Sequence, residues 1–365
     1  MTRTQPVRLA STTAEFWEDW DRVVAAYGTN GFYHSNLVRY YAETVGREWT
    51  PQLICRPDGV AALKTRGHFG VRLATQLLSP GFGTEPVIEP RHRKEFVHDL
   101  LADVFGRLRC QTLDLSLPSE SPILPIIRKA ASSSKLYSEE GSMKSYQAKH
   151  SVLPVAGTWE QFRRSRGPNF SHHFKKIERD LGRAGKLAVH HTYIDNESVV
   201  AKISEVEEKS WKGDSRKGEG VKDDEDLTAL LRFWRYEGDN RPPMVWIMEL
   251  DGKPVAYQIA MTLNGVAIFC KTSYDQSYAG LSCGVYVCNR AIRELFGSGD
   301  VSLIDFLTPL PYLERWTSER LGRTRLVISK PVPLVTPMAS YLQKNRPAKS
   351  AYGALKGLSN LPRDS

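Results

Sequence analysis

What the chain lacks narrows the field first. Its five cysteines (Cys55, Cys110, Cys270, Cys283 and Cys288) are odd in number and include no C-x-x-C pair. That argues against a disulfide framework and against a zinc cage. Nine histidines supply no H-E-x-x-H motif. The pairs His172–His173 and His190–His191 are adjacent, so their side chains diverge on either a strand or a helix, and no metal is expected. No apolar run approaches the roughly eighteen residues of a membrane span. The opening stretch MTRTQPVRLASTTAEFWEDW has no apolar core of the kind a secretory leader needs. The expectation is a cytoplasmic protein without membrane insertion. No internal repeat stands out.

What is present fits a sizeable globular enzyme. A chain of 365 residues with 41% hydrophobic and 25% charged residues can bury two cores. A net charge of +9 suits an anionic partner, whether a nucleotide phosphate, an RNA, an anionic sugar or a membrane surface, without choosing among them. The apolar spacing predicts helices over 15–27 and 37–45, then a hairpin, QLICR-PDG-VAALKT, around a Pro-Asp-Gly turn. A strand (71–78), a helix (91–105), a strand (111–117) and a helix (122–131) complete a first α/β unit. The polar stretch SSSKLYSEEG (132–141) reads as a boundary, giving units of 1–140 and 141–335 and a basic tail of 336–365.

The second unit opens with a strand and a basic helical stretch, 159–185, which Pro168 divides and Gly185 closes. Its centre is three consecutive strands, MVWIMEL, PVAYQIAMTL and VAIFCKTS. Asn264-Gly265 between the last two is a strong hairpin signal. Then comes the loop SYDQSYAGLSCG and a helix. Gly280, Ser282 and Gly284 keep bulk away from the first turn of that helix. Its unpaired N–H groups and positive dipole end can therefore receive an anion.

These elements carry a resemblance. The order of meander, phosphate loop, helix and strand resembles the core of the GNAT acyltransferase superfamily. EVEEKSWKG (205–213), KTSYDQSYAGLSCG (271–284) and LIDFLTPLPYLERW (303–316) resemble motifs of its CelD-like and Fem-type branch. The resemblance implies an α/β (α+β) fold of two tandem GNAT-like domains, each a mixed, mostly antiparallel sheet flanked by helices. It implies direct transfer of an acyl group from acyl-CoA to a small-molecule amine, such as an amino sugar, an amino acid or a biosynthetic intermediate. The Fem-type alternative draws its acyl group from an aminoacyl-tRNA, and a second alternative is a non-catalytic binding module. The chain departs from the patterns in three places: a serine replaces one phosphate-loop glycine, S-P-G becomes Ser282-Cys283-Gly284, and a Tyr-Lys pair becomes Tyr312-Leu313.

Candidate residues follow. Asp305 lies in an otherwise apolar strand, where an acid is costly unless paired or functional, and is expected as base or substrate-orienting group. Tyr274, at a strand end, is a candidate proton donor. Lys212 is a candidate for holding an anionic acceptor, and Trp211 beside it for contacting one. Lys271, Gly280, Ser282, Cys283, Gly284 and Val285 form the expected donor site. Cys283 at a helix start has the alternative of nucleophilic chemistry. Tyr278, Tyr312 and Trp316 are candidate substrate contacts, although the i, i+4 spacing of the last two also fits a core face. Glu207 and Glu208 read as a solvated helix face. The arginines and lysines of 163–186 offer a cationic face for a possible tRNA.

Overall fold

The computed structural model describes residues 11–68, 71–78, 84–143, 148–210, 225–232 and 242–331. Helices α1 (Ala14–Tyr27) and α2 (Ser35–Thr44) precede strands β1 (Thr50–Arg56), β2 (Gly59–His68), β3 (Val71–Gln76) and β4 (Val87–Ile88). Helix α3 (Arg93–Ala102), β5 (Thr112–Pro118), α4 (Leu124–Ser133) and β6 (Tyr137–Gly141) close the first half. The second half holds β7 (Lys149–Pro154), α5 (Trp159–Ser165), α6 (Pro168–Ala184), β8 (Leu187–Tyr193), α7 (Glu197–Glu208) and α8 (Glu225–Arg232). It ends with β9 (Met244–Leu250), β10 (Lys253–Leu263), β11 (Val266–Tyr274), α9 (Cys283–Ser298), β12 (Leu303–Asp305) and β13 (Arg320–Ser329).

Local chemistry explains many boundaries. Asp251–Gly252 and Asn264–Gly265 take positive φ at both positions, the two-residue turn whose twist matches that of the strands it joins. Gly167 at φ 81° and Pro168 at the first helical position separate α5 from α6. Gly185 ends α6 in an extended conformation rather than a left-handed one, and a Cβ there would stand 2.6 Å from Asp251 Oδ2. The stretch read as a boundary, 132–141, is instead the end of α4 followed by β6, which pairs with β13 from Ser329↔Tyr137 to Arg325↔Gly141. Its residues are mostly exposed, so it carries no alternating apolar pattern to announce a strand.

The strands make one sheet, ordered β1-β2-β3-β5-β13-β7-β12-β11-β10-β9-β8. Each half contains a meander, a crossing helix and a fourth strand parallel to the third: β3 with β5, and β11 with β12. Strand β13 joins the halves. Arg320–Gly322 pair with β7, and Arg323–Ser329 pair with β5. A bidentate Arg325–Asp114 pair, at 2.9 and 2.8 Å, fixes that crossing.

Three cores fill the layers. Helices α3 and α4 cover one face of the first half. Helices α5, α6 and α9 cover one face of the second. Helices α1, α2, α7 and α8 pack against the remaining faces of both halves. The three fully buried tryptophans among the described residues each have a partner for the indole N–H: Trp20 to Tyr33 O, Trp246 to Glu294 and Trp316 to Asn289. The expected α/β class with mixed, mostly antiparallel strands flanked by helices holds, and the separate sheets expected of the two halves are joined into one large mixed sheet through β13.

Candidate active site

β11 and β12 pair over three residues only, Val266↔Leu303 to Ile268↔Asp305. β11 then runs six residues further while β12 ends. Beyond Asp305 the chain follows β7 instead: Phe306 N donates to Ser151 O, and Ser151 N donates to Thr308 O. β11 and β12 therefore part after Ile268, and the wedge between these two strands lies along the last six residues of β11. The register with β10 shifts here, leaving Cys270 as an extra residue opposite Ile259 and Ala260. Such a bulge increases local twist and bends the strand.

The equivalent parting in the first half is closed. There Gln76, at the end of β3, accepts from Ser116 N at 2.9 Å and donates to Ser116 O at 3.1 Å, bridging to β5 like one more ladder rung.

The first turn of α9 faces the open wedge. A 3-10 turn, Gln276–Leu281, leads into it, with Asp275 accepting from Ser277 N and Oγ. Ser282 is left-handed (φ 56°, ψ 35°) and provides no side-chain cap. A left-handed residue after a right-handed turn directs successive N–H groups into one concavity. The N–H groups of Cys283, Gly284 and Val285 have no carbonyl one turn earlier to bond. Gly280 is exposed, and Ser282, Gly284 and Val285 are half-buried, so the turn is accessible. Gly284 brings the helix close to β11: its hypothetical Cβ would lie 3.2 Å from Tyr274 Cδ1 and 3.8 Å from Thr272 Oγ1.

The other candidates divide between the surroundings of this turn, the core and the residues outside the description. Tyr274 and Tyr278 pack at the rim of the core that includes α9, and Tyr312 packs against the same core with its ring edge-on to Trp316. Burial pushes the Tyr312 hydroxyl upward in pKa. Trp316 is fully buried, with its N–H on Asn289 Oδ1 at 3.0 Å, so its ring is core and has no surface left for a substrate. The Cys283 side chain is also core: burial pushes its thiol up to about 12, which disfavours a nucleophilic thiolate and leaves its backbone N–H as the useful group. Lys271 is half-buried on β11 opposite Ile259, beside the bulge. Trp211 and Lys212 lie outside the described residues, as does the tail 336–365.

Asp305 stands where β12 leaves β11. Its Oδ1 accepts from Leu307 N at 2.7 Å, and its Oδ2 lies 3.2 Å from His150 Nδ1. Leu307 is left-handed (φ 58°), an uncommon conformation for a bulky residue, and its N–H is held by the aspartate. Asp305 thus pins the turn that opens the wedge, and 14% of its side chain remains exposed. His150 is fully buried behind it, and its Nε2 has no partner among the described residues.

Sequence reasoning missed two features. His150 lies 155 residues from Asp305 and carries no local signal. Glu207, read as solvated, is buried: it accepts from the hydroxyl of Tyr257 on β10 and from Ser210 Oγ at 3.4 Å. With Gln276 N donating to Lys209 O at 2.9 Å, this anchors the end of α7 to the donor loop.

Glu85 adds a titration that can be checked. It is half-buried, and burial raises its pKa, with the Ser121 hydroxyl and Arg323 pulling it back. A raised carboxyl binds more protons folded than unfolded, so it costs stability as pH rises above the ordinary carboxylate range. Glu85→Gln is expected to gain stability relative to the parent between about pH 4 and about pH 7 in urea unfolding. A difference that stays flat or falls over that range contradicts the assignment.

Residues 161–315 match the family model for the Acetyltransferase (GNAT) domain. The enzyme class is acyltransferase. The matched span runs from α5 to the turn before Trp316 and contains the wedge, the uncapped turn of α9 and Asp305. Among solved structures the chain is similar to the C-terminal domain (DUF2156) of a putative lysylphosphatidylglycerol synthetase from Agrobacterium fabrum. That likeness has 10% identity and a TM-score of 0.59 and covers 91% of this chain and 95% of that one. FemX gives 8% identity and a TM-score of 0.59 over 85% of this chain and 95% of that one. L-PGS from Bacillus licheniformis gives 8% and 0.56 over 94% and 98%. At such identities the likeness is one of fold. No match is found among curated proteins. Among the described residues, no cluster of His, Cys, Asp and Glu could hold a metal ion, and no helix is long and apolar enough to cross a membrane.

Proposed function

We propose that the chain is a cytoplasmic N-acyltransferase that moves an acyl group from acyl-CoA to an amine with both substrates bound together. The observation that supports this reading is the parting of β11 from β12 directly before the uncapped first turn of α9. That turn has the donors and the dipole for the diphosphate of CoA. The stretch of β11 that β12 does not pair runs beside this turn, and the amide-bearing arm of the carrier would lie along it.

The amine nitrogen attacks the thioester carbonyl, the C–S bond breaks, and the sulfur departs as thiolate. The acceptor enters as an ammonium and must lose a proton before attack and another on forming the amide. Asp305, backed by His150, is the proposed acceptor of the first; Tyr274 is the proposed donor to the thiolate and takes back the second as the amide forms. Lys271 is the proposed partner of an anionic group of the donor, and Lys212 with Trp211, which lie outside the described residues, are proposed from sequence as contacts of the acceptor. Holding both substrates in register accounts for roughly 7–11 kcal/mol of barrier in well-oriented systems, so a strong base is not needed.

A second reading has its own support. Lys175, Lys176, Arg179 and Arg183 are exposed on α6, which packs against both α9 and the 3-10 turn before it. A cationic face beside the donor loop suits the backbone of an aminoacyl-tRNA, and FemX, L-PGS and the DUF2156 domain share the fold.

Melting curves with CoA, acetyl-CoA and longer acyl-CoAs separate the two. A donor at a hundredfold excess over its Kd stabilises by about 2.7 kcal/mol, a rise of several degrees. No rise with any thioester, together with salt-sensitive retention of aminoacyl-tRNA, would transfer the assignment to the second reading.

A further inference from the structure

A second group of charges lies at the seam of the two halves, on the sheet face opposite α9. Register places it there. Asp305 pairs with Val152, His150 is two residues along β7 from Val152, Leu321 pairs with His150, and Arg323 is two residues beyond Leu321. Side chains two apart on a strand, or directly paired, share a face. On the far side Arg323 pairs with Pro118. Ser121, three residues on, donates its hydroxyl to Glu85. The order across the seam is therefore Asp305–His150, Arg323, Ser121–Glu85.

The arginine is incompletely used. It is 6% exposed, and among the described residues its hydrogen bonds all go to Ser116: Nε to Oγ at 3.2 Å, and Nη2 to O and Oγ at 2.7 and 3.0 Å. Nη1 is left over, and neither carboxylate forms a direct ion pair with the guanidinium, although both are near enough to pull its pKa upward against burial. A buried guanidinium between two carboxylates it does not touch is costly unless another group completes the network. The fully buried Nε2 of His150, on the same face, is a second polar atom with no partner among the described residues.

We propose that this cluster recognises the acceptor, and that the acceptor is a zwitterion: an amine that also carries a carboxylate, as a free amino acid does. The carboxylate binds Arg323 through Nη1. The ammonium lies between the acidic groups, nearest Asp305, which also borders the wedge. The acceptor thereby reaches the thioester from the face opposite the donor's helix. This inference rests on the acyl-transfer reading for the location of the reacting amine, but recognition is measurable without turnover.

The probes are matched pairs differing by one carboxylate: lysine and cadaverine, tyrosine and tyramine, histidine and histamine. The other free amino acids are added singly, and all are titrated into the full chain by calorimetry. At least one amino acid is expected to bind, with its decarboxylated counterpart weaker by about tenfold to a hundredfold, the range for a charged hydrogen bond. Arg323→Gln is expected to remove that preference and Arg323→Lys to keep part of it, while both retain the CoA-induced rise in melting temperature as evidence of folding. Equal binding of acids and amines, unchanged preference in Arg323→Gln, or no amino acid bound at all would each overturn the proposal. If CoA also fails to raise the melting temperature of the parent chain, the donor reading falls separately, whatever the amino acids do.

Discussion

Asp305→Asn is expected to leave the CoA-induced rise in melting temperature unchanged and to lower kcat by about a hundredfold to ten-thousandfold, the range for losing a positioned proton acceptor. The geometry separates the two effects. The amide oxygen can still accept from Leu307 N, so the turn that opens the wedge survives and the donor binds. The amide nitrogen would replace Oδ2 opposite His150 Nδ1, presently 3.2 Å away, and it donates rather than accepts. The imidazole would have to offer its lone pair there and carry its proton on the buried Nε2. The negative charge beside the arriving ammonium is lost as well. The measurement is thiol release from acyl-CoA with a panel of amines, alongside the melting curve. Unchanged thiol release removes Asp305 from the proton path and leaves it only as the pin of the turn. A lost CoA response would show that the substitution closed the wedge, and the kinetic comparison would then move to Asp305→Glu.

The parts of this site that sequence reveals are those made by neighbours in the chain. Asn264–Gly265 forces the hairpin, Pro168 breaks the basic helix, and small residues before Cys283 leave α9 uncapped; each is decided within a few residues. Asp305 stood out because a carboxylate in an apolar strand needs a reason. What stays hidden depends on partners brought from afar. Glu207 has a helix-surface pattern in sequence and is buried only because Tyr257 arrives 50 residues later. Gln76 is one more polar strand residue until it meets Ser116, 40 positions on, and closes the first half's wedge. β6 is invisible because its exposed edge has nothing apolar to alternate, and its partner β13 comes from the far end of the chain. The asymmetry that matters most, the Gln76–Ser116 bridge across the first parting with no counterpart between β11 and β12 among the described residues, therefore belongs to tertiary contacts rather than to motifs.

That asymmetry sets the second large expectation, at Gly284. A Cβ there would be 3.2 Å from Tyr274 Cδ1, and the branched methyls of valine would press further toward Thr272 and Tyr274 on β11. The Tyr274 ring is packed at the rim of the core and gives way poorly. The first turn of α9 must therefore shift, and its N–H groups lose their aim. Losing one well-placed bond to a charged group costs about 1.5–3 kcal/mol, so Gly284→Val is expected to weaken CoA binding by about tenfold to a hundredfold. Gly280 is the internal control. A Cβ there meets nothing within 4 Å, and its φ lies outside the left-handed region, so Gly280→Ala is expected to leave CoA affinity within about twofold. Calorimetric titration of CoA into both variants reads the difference directly. Full affinity in Gly284→Val would move the diphosphate away from this turn, and with it the reason for placing the thioester between β11 and Asp305.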